Sequence, residues 1–312
     1  MSDTQRERHL FITLSNIGDA VMTLPALEAY HAAFRRDKID IVADARSSML
    51  FSQVAYRGDV FLKDKQAGGR GTWQLLRQLR RRRYRSVVDL RSLVLPWLLR
   101  KRRAATKLGI QPGGEHAVHE HLAVVETLLE RRLGVPLAPV AIGDEARAEA
   151  AGLVAPLGGG RLLARAPGAN WEAKVWPVER YAALVRHLSG QFDAVVALGG
   201  PDDREAVASL AAVSPLPVLD LAGTIDLLTA AAVLTHAAYF VGNDSGVGHI
   251  AAAMGRPTMT VFGPGQPERY RPWGALARWI VAPDGNIASV SADEVAAAVH
   301  DQLATLTPVI SE

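Results

Sequence analysis

Several short segments of this 312-residue chain carry the residue types and spacing that anion and proton chemistry require. The most informative is Tyr239-Phe-Val-Gly-Asn-Asp-Ser-Gly-Val-Gly-His249, running on as Ile250-Ala-Ala-Ala-Met-Gly255. Its apolar start predicts a buried strand over 239–242, and its small residues predict a helix beginning near Ser245. Asp244, Ser245 and Gly246 then stand at a helix amino end, where N–H groups lack partners and the dipole is positive. Gly246 and Gly248 leave room for a ligand to approach the backbone. Such a turn after a parallel strand suits phosphate. An ordinary turn capped by Asp244 or Ser245 accounts for the same residues.

Four further segments reach strand ends. In Ser15-Asn-Ile-Gly-Asp19, Gly18 permits a sharp turn and Asp19 offers either a general base or a helix cap. Ala166-Pro-Gly-Ala-Asn-Trp-Glu-Ala-Lys174-Val-Trp-Pro177 sets a lysine in a glycine-containing loop, where its point charge could hold a phosphate. Leu198-Gly-Gly-Pro-Asp-Asp-Arg-Glu205 is a strand end followed by an acidic helix start, which helix dipoles favour regardless of function. Phe262-Gly-Pro-Gly-Gln-Pro-Glu-Arg-Tyr-Arg-Pro-Trp273 reads as a long loop, either a cover for the cleft or a plain connection.

The elements that position these segments alternate. Strands are expected over 9–14, 39–43, 86–90, 162–165, 194–198, 218–221, 239–241 and 258–262. Helices are expected over 19–34, with Pro25 near the start, and over 181–188, 203–211 and 227–235. Ser291-Ala-Asp-Glu294 is a capping box opening a C-terminal helix over 291–306. Gly152 to Gly160, rich in glycine and with one proline, reads as the linker. The alternation implies an α/β fold with two doubly wound parallel-sheet domains, 1–155 and 156–312. The last helix is expected to pack back toward the first domain. Ligands in such sheets bind beyond the carboxyl ends of the strands.

Composition excludes other classes. Cysteine is absent, so no disulfide framework, thiolate nucleophile or cysteine metal site is available, which suits a reducing cytoplasm. The charged start, MSDTQRERHL, shows no secretory signal, and no run of 18 apolar residues occurs. The net charge of +3 conceals an asymmetry: residues 1–159 hold 25 Lys/Arg and 17 Asp/Glu, residues 160–312 hold 10 and 15. From Arg77 to Lys107 there are twelve basic residues and one carboxylate, Asp89. The two centres of this block are Arg80, Arg81, Arg82, Arg83 and Arg100, Lys101, Arg102, Arg103. It suits a phosphate-rich partner such as an anionic membrane or an acidic glycolipid, or it is a solvated helix face. Aromatic residues do not alternate with the cations, which disfavours nucleic acid.

In order, these motifs resemble the heptosyltransferases of glycosyltransferase family 9, which move heptose from a nucleotide sugar to the lipopolysaccharide core. The resemblance rests on Gly18-Asp19, Thr23-Leu24-Pro25, Pro167-Gly-Ala169, Lys174, Trp176-Pro177, Asp244-Ser-Gly-Val-Gly-His249 and Phe262-Gly-Pro264. It implies a GT-B fold of two Rossmann-like domains facing across a cleft, the first binding acceptor and the second ADP-heptose. It further implies Asp19 as general base and Lys174 as the group that neutralises the departing diphosphate. Ser245 and Gly246 would contact that diphosphate, while Asp244 and His249 shape the loop and sugar site. Glu205 would meet the ribose, with Asp202 and Asp203 as alternatives, and Ala222, Gly223 and Thr224 would meet the base through backbone. Transfer is expected to invert the sugar without metal or cofactor, since a lysine and a helix amino end can hold the leaving charge. The cationic residues would serve acceptor binding and transient contact with the inner face of the membrane.

Three other readings stay open on sequence. They are a related GT-B enzyme with another sugar donor or a non-lipid acceptor, a Rossmann oxidoreductase, and a non-catalytic nucleotide or anionic-membrane binder. Against the oxidoreductase, the first strand leads to Ser-Asn-Ile-Gly-Asp and not to a G-x-G-x-x-G loop.

Overall fold

A computed structural model describes residues 7–64, 66–169 and 171–306. The chain divides into two compact units, Met1–Gly143 and Asp144–Glu312. In the first, strands β1 (Arg8–Ile12), β2 (Lys38–Asp44), β3 (Arg57–Lys63), β4 (Tyr84–Asp89) and β5 (Lys101–Thr106) alternate with helices α1 (Ile17–Ala33), α2 (Gly68–Arg80) and α3 (Ala117–Leu129). The sheet is entirely parallel, in the order β3-β2-β1-β4-β5. The inner stretches of β1 and β4 are apolar, as in the covered strands of a parallel sheet; Leu10, Phe11, Ile12, Val87 and Val88 are fully enclosed. The chain reverses its winding at β1 and β4, so their carboxyl ends open at the switch point of the sheet.

The second unit begins with α4 (Asp144–Val154). It continues as β6 (Leu162–Ala166), α5 (Val178–Leu188), β7 (Ala194–Ala197), α6 (Arg204–Val213), β8 (Val218–Asp220), α7 (Leu227–His236), β9 (Ala237–Asn243) and α8 (Gly246–Ala253). The remainder is β10 (Thr258–Phe262), a single turn α9 (Pro267–Tyr270), β11 (Ala277–Val281) and α10 (Ala292–Leu306). Six parallel strands run in the order β11-β10-β9-β6-β7-β8. Its core sets Trp176, Tyr181, Leu184 and Leu188 with Val295, Val299 and Leu303 against Leu163, Val195, Val241 and Val261 of the strands. This is the parallel α/β fold expected in both halves.

Several boundaries differ from the sequence reading. The division at Gly143 and Asp144 precedes the expected 155/156 boundary by one helix, because 144–154 forms α4 and packs on α7. The segment 152–160 is therefore no linker; it is the end of α4, a short 3-10 turn and the approach to β6. The final helix is opened by the expected box, with Ser291 N–H donating to Glu294 Oε2 at 2.8 Å and Glu294 N–H to Ser291 Oγ at 3.2 Å. Its apolar side, Val295, Ala296, Val299 and Leu303, is committed to α5 and the sheet of its own unit. Among the described residues no helix is long and apolar enough to cross a membrane.

Buried histidines tie the first unit together. His9 Nδ1 lies 2.7 Å from Ser86 Oγ, which also meets Tyr30 OH at 2.7 Å. His121 of α3 reaches the Met22 carbonyl of α1 at 3.2 Å, and burial lowers its pKa from 6.5 to about 4. The folded state thus keeps His121 neutral, whereas the unfolded chain takes up a proton below pH about 6.5. Stability from this group is complete above that pH and is lost as pH falls toward about 4. Urea unfolding is expected to show roughly 2 kcal/mol of acid destabilisation from this residue between pH about 7 and pH about 5. His121→Gln should flatten that slope; an unchanged slope would remove His121 as its source.

Candidate active site

In the first unit, β1 runs into Thr13, whose hydroxyl meets Thr23 Oγ1 at 2.7 Å; Thr23 also donates to the Ala20 carbonyl at 2.7 Å. These bonds lock the turn onto α1, which gives Thr23 of the Thr-Leu-Pro element a positioning role. The helix starts before the expected residue 19: Asn16 is its N-cap and Asp19 stands in its first turn. Asp19 is therefore not the cap. Its Oδ2 accepts from Asn16 Nδ2 at 2.9 Å, and the half-buried carboxylate sits beyond the carboxyl end of β1 at the helix amino end.

The neighbouring carboxyl ends of β2 and β4 add Asp44, Asp89 and Arg91, none of them singled out by sequence. Asp89 Oδ1 accepts the N–H groups of Arg91 and Ser92, each at 2.8 Å, and burial raises its pKa. Arg91 approaches Asp44 at 3.8 Å. The signal that could have found them is the polar end of an otherwise apolar strand.

In the second unit, β9 ends at Asn243 and Ser245 is the N-cap of α8, close to the expected strand and helix start. Lys174 Nζ donates to Asp244 Oδ2 at 2.5 Å, and His249 Nε2 stands 3.8 Å from the other oxygen. Burial pushes the Asp244 carboxyl up, but His249 and Lys174 outweigh it and hold the group below the ordinary carboxylate range. Ser245 Oγ and His249 Nδ1 are buried with no hydrogen-bond partner. One ammonium and the open N–H groups of a helix amino end thus stand together beside Ser245, a constellation suited to an oxyanion. Gly246 lies at the helix start as expected. Gly248 serves packing instead of ligand access: a Cβ there would stand 3.3 Å from the Phe240 ring.

Asn243, unnoticed in the sequence, holds this arrangement. Its Oδ1 accepts from Trp176 N–H at 3.1 Å and from Tyr181 OH at 2.8 Å, and its Nδ2 donates to the Pro167 carbonyl. Both ends of the loop carrying Lys174 are thereby pinned to the strand that delivers Asp244. Asn243→Ala would strand two buried donors and one carbonyl, at a cost of roughly 2–4 kcal/mol. A thermal melt should show it as a lowered Tm; a wild-type Tm would contradict the role. Under the same loop Arg165 lies buried 4.0 Å over the Tyr181 ring, and burial, opposed by Tyr181 and Asp203, lowers its pKa to about 10.

The remaining expected residues separate. Asp203 turns inward: its Oδ2 accepts Gly200 N–H at 2.7 Å, and its carboxylate lies where only glycine fits at 168 and 199. Asp202 and Glu205 are exposed at the start of α6. The carbonyls of Ala222 and Gly223 accept from Arg204 at 3.2 and 2.9 Å, while Thr224 Oγ1 donates to the Leu221 carbonyl at 3.0 Å. The loop 262–273 contains α9, and Arg271 stacks 4.3 Å over Trp279 of β11.

The basic block is not brought to Asp19. Arg80, Arg81, Arg82 and Arg83 end α2 and precede β4; Arg100 precedes β5, and Lys101, Arg102 and Arg103 open it. They stand at the amino ends of strands, about 20 Å along the sheet from the carboxyl edge that carries Asp19. Arg82 is bound to Asp40 at 2.7 Å and to Asp59, and Arg103 to Glu130 at 2.5 Å. Among the described residues no group of three or more His, Cys, Asp or Glu side chains is arranged to hold a metal ion.

Residues 72–300 match the family model of glycosyltransferase family 9 (heptosyltransferase). A lipopolysaccharide heptosyltransferase 2 of Salmonella typhimurium is 33% identical over 152 residues, 47% of this chain and 43% of that protein. A lipopolysaccharide heptosyltransferase 1 of Pseudomonas aeruginosa is 26% identical over 294 residues, 83% and 79% of the two chains. The matches to the heptosyltransferase 2 relatives of Salmonella typhimurium and Haemophilus influenzae thus span less than half of those proteins, 43% and 45%. Among solved structures, E. coli ADP-heptose lps heptosyltransferase II superposes with a TM-score of 0.78 at 21% identity, covering 96% of this chain and 99% of that one. An E. coli heptosyltransferase with ADP gives 0.77 at 21% identity, covering 95% and 99%. The two parallel α/β units are those of the GT-B fold, and the chain belongs to glycosyltransferase family 9, the heptosyltransferases.

Proposed function

We propose that the chain transfers a heptose from ADP-heptose to a hydroxyl of a lipopolysaccharide-core sugar, with inversion and without a metal. The observation that carries this reading is the paired Lys174 and Asp244 at the amino end of α8, beside the unsatisfied Ser245 Oγ and His249 Nδ1. Asp244 takes one of the three ammonium donors of Lys174, leaving two for a diphosphate. As the acceptor oxygen bonds to the anomeric carbon, the bond from that carbon to the diphosphate breaks and negative charge passes to ADP. A preorganised ammonium and helix amino end stabilise that charge more than they stabilise the ground state. Asp19 takes the proton of the attacking hydroxyl. Glu205, exposed in the first turn of α6, is the proposed ribose contact, since Asp203 is committed to its own loop. Backbone of 222–224 is the proposed base contact. Relatives named for lipopolysaccharide heptosyl transfer, and a neighbouring structure with ADP, support the donor and acceptor classes.

The test is incubation with ADP-heptose and a Kdo-bearing lipid A acceptor, followed by mass spectrometry of the glycolipid and assay of released ADP. A mass gain of one heptose with equimolar ADP is expected, and chelator should leave the rate unchanged. ADP release without glycolipid product, but with a protein or small-molecule product, would move the acceptor to the other branch of the family. No release with any acceptor would overturn the reading.

A further inference from the structure

Strand β6 holds a charged side chain inside the core. All five of its residues are buried, and Arg165 is 1% exposed between Ala164 and Ala166. Its sheet neighbours are Ala197 of β7 and Val241 of β9, both apolar and buried. Nε, Nη1 and Nη2 of Arg165 are all enclosed, and none has a hydrogen-bond partner. Among the described residues no carboxylate stands within ion-pair distance of this guanidinium.

The surroundings compensate the charge only diffusely. The guanidinium lies 4.0 Å over the Tyr181 ring, and Asp203 attracts it from longer range. Asp203 is itself committed, accepting Gly200 N–H at 2.7 Å. Burial lowers the pKa of Arg165 to about 10, so the group keeps its proton at neutral pH. An arginine that serves stability forms directed bonds to a carboxylate. A buried cation without them weakens the fold, and an apolar side chain of similar volume relieves that penalty. Such a local conflict is retained where function requires it.

The place of Arg165 in the fold indicates that function. Two residues further on, the Pro167 carbonyl accepts from Asn243 Nδ2. Tyr181, whose ring Arg165 covers, donates its hydroxyl to Asn243 Oδ1 at 2.8 Å. Asp244 follows Asn243 directly and holds Lys174, and Ser245 then caps α8. One aromatic ring and one hydrogen bond therefore separate the guanidinium from the residue that precedes the Lys174–Asp244 pair.

We propose that Arg165 is an electrostatic element of the phosphate site of the second unit, its buried charge compensated without contact by the diphosphate of a bound nucleotide. The proposal rests on the reading of the α8 amino end as the donor site. Lys174 supplies a directed bond there. Arg165, with its nitrogens enclosed, supplies only charge, whose reach is longer in a medium of low dielectric constant than in water.

Arg165→Met keeps most of the volume and removes the charge. Without ligand, this variant is expected to melt at or above the wild-type temperature, because the buried cation is gone. In calorimetry it is expected to bind ADP roughly tenfold more weakly, the scale of one charge interaction through a partly buried medium. Arg165→Lys supplies a charge that titrates, since burial lowers the pKa of a lysine whereas arginine stays protonated. Its ADP affinity relative to wild type should fall as pH rises from about 6 to about 9. A lowered Tm in Arg165→Met would make the residue a structural strut and overturn the proposal. So would wild-type ADP affinity in that variant, or a pH-independent ratio for Arg165→Lys. Absence of ADP binding by the wild-type chain would overturn the donor reading, and the proposal with it.

Discussion

Lys174→Ala is expected to lower kcat by about 10²–10³-fold, the loss seen when one preorganised donor to a developing oxyanion is removed. The ammonium sits 2.5 Å from Asp244 at the amino end of α8, so in the proposed reaction its position is fixed before a donor arrives and no reorganisation is needed during bond breaking. Removing it leaves Asp244, now without its cation, close to the incoming diphosphate, and donor affinity should fall as well. Lys174→Arg tests geometry against charge: a planar guanidinium keeps the charge but cannot occupy the same point beside Asp244. Steady-state kinetics with ADP-heptose separates the cases. Wild-type kcat and KM in Lys174→Ala would discard the role.

Asp19→Asn is expected to reduce kcat by about 10²–10⁴-fold, the usual range for a positioned general base. The amide keeps the size of the carboxylate and its proximity to Asn16, which now donates to Oδ2 at 2.9 Å, but it cannot accept the hydroxyl proton. Calorimetric ADP affinity should stay at the wild-type value, because Asp19 belongs to the first unit and the proposed diphosphate cradle to the second. A variant with unchanged kcat eliminates Asp19 as base, and one with weakened ADP binding assigns it to the donor.

The strands of the second unit were legible because burial on both faces makes them short, mostly apolar runs, as in Leu162–Ala166 and Thr258–Phe262, where only Arg165, Thr258 and Thr260 are polar. β3 and β5 were not. Both are edge strands whose exposed positions carry Arg57, Asp59, Arg102 and Arg103, so they read as loop or as part of a charge run. Glycine and proline made 152–160 look like a linker, although the alanine-rich helix preceding it binds α7. Lys174, Asp244 and Ser245 could be read from turn chemistry at the ends of strands, whereas His249, inside a small-residue helix, stood out only through the family motif. Asn243 could not, since its partners Trp176 and Tyr181 lie 67 and 62 residues away and only the closed sheet joins them. Arg204 was hidden the same way, its guanidinium reaching carbonyls 18 and 19 residues on.

The most direct examination of the proposed cradle is a crystal structure of the chain with ADP. The diphosphate is expected at the amino end of α8, within hydrogen-bond reach of Lys174 Nζ and Ser245 Oγ, with the ribose toward Glu205. A nucleotide bound in the first unit, or one whose phosphates face solvent away from Lys174, would contradict the account.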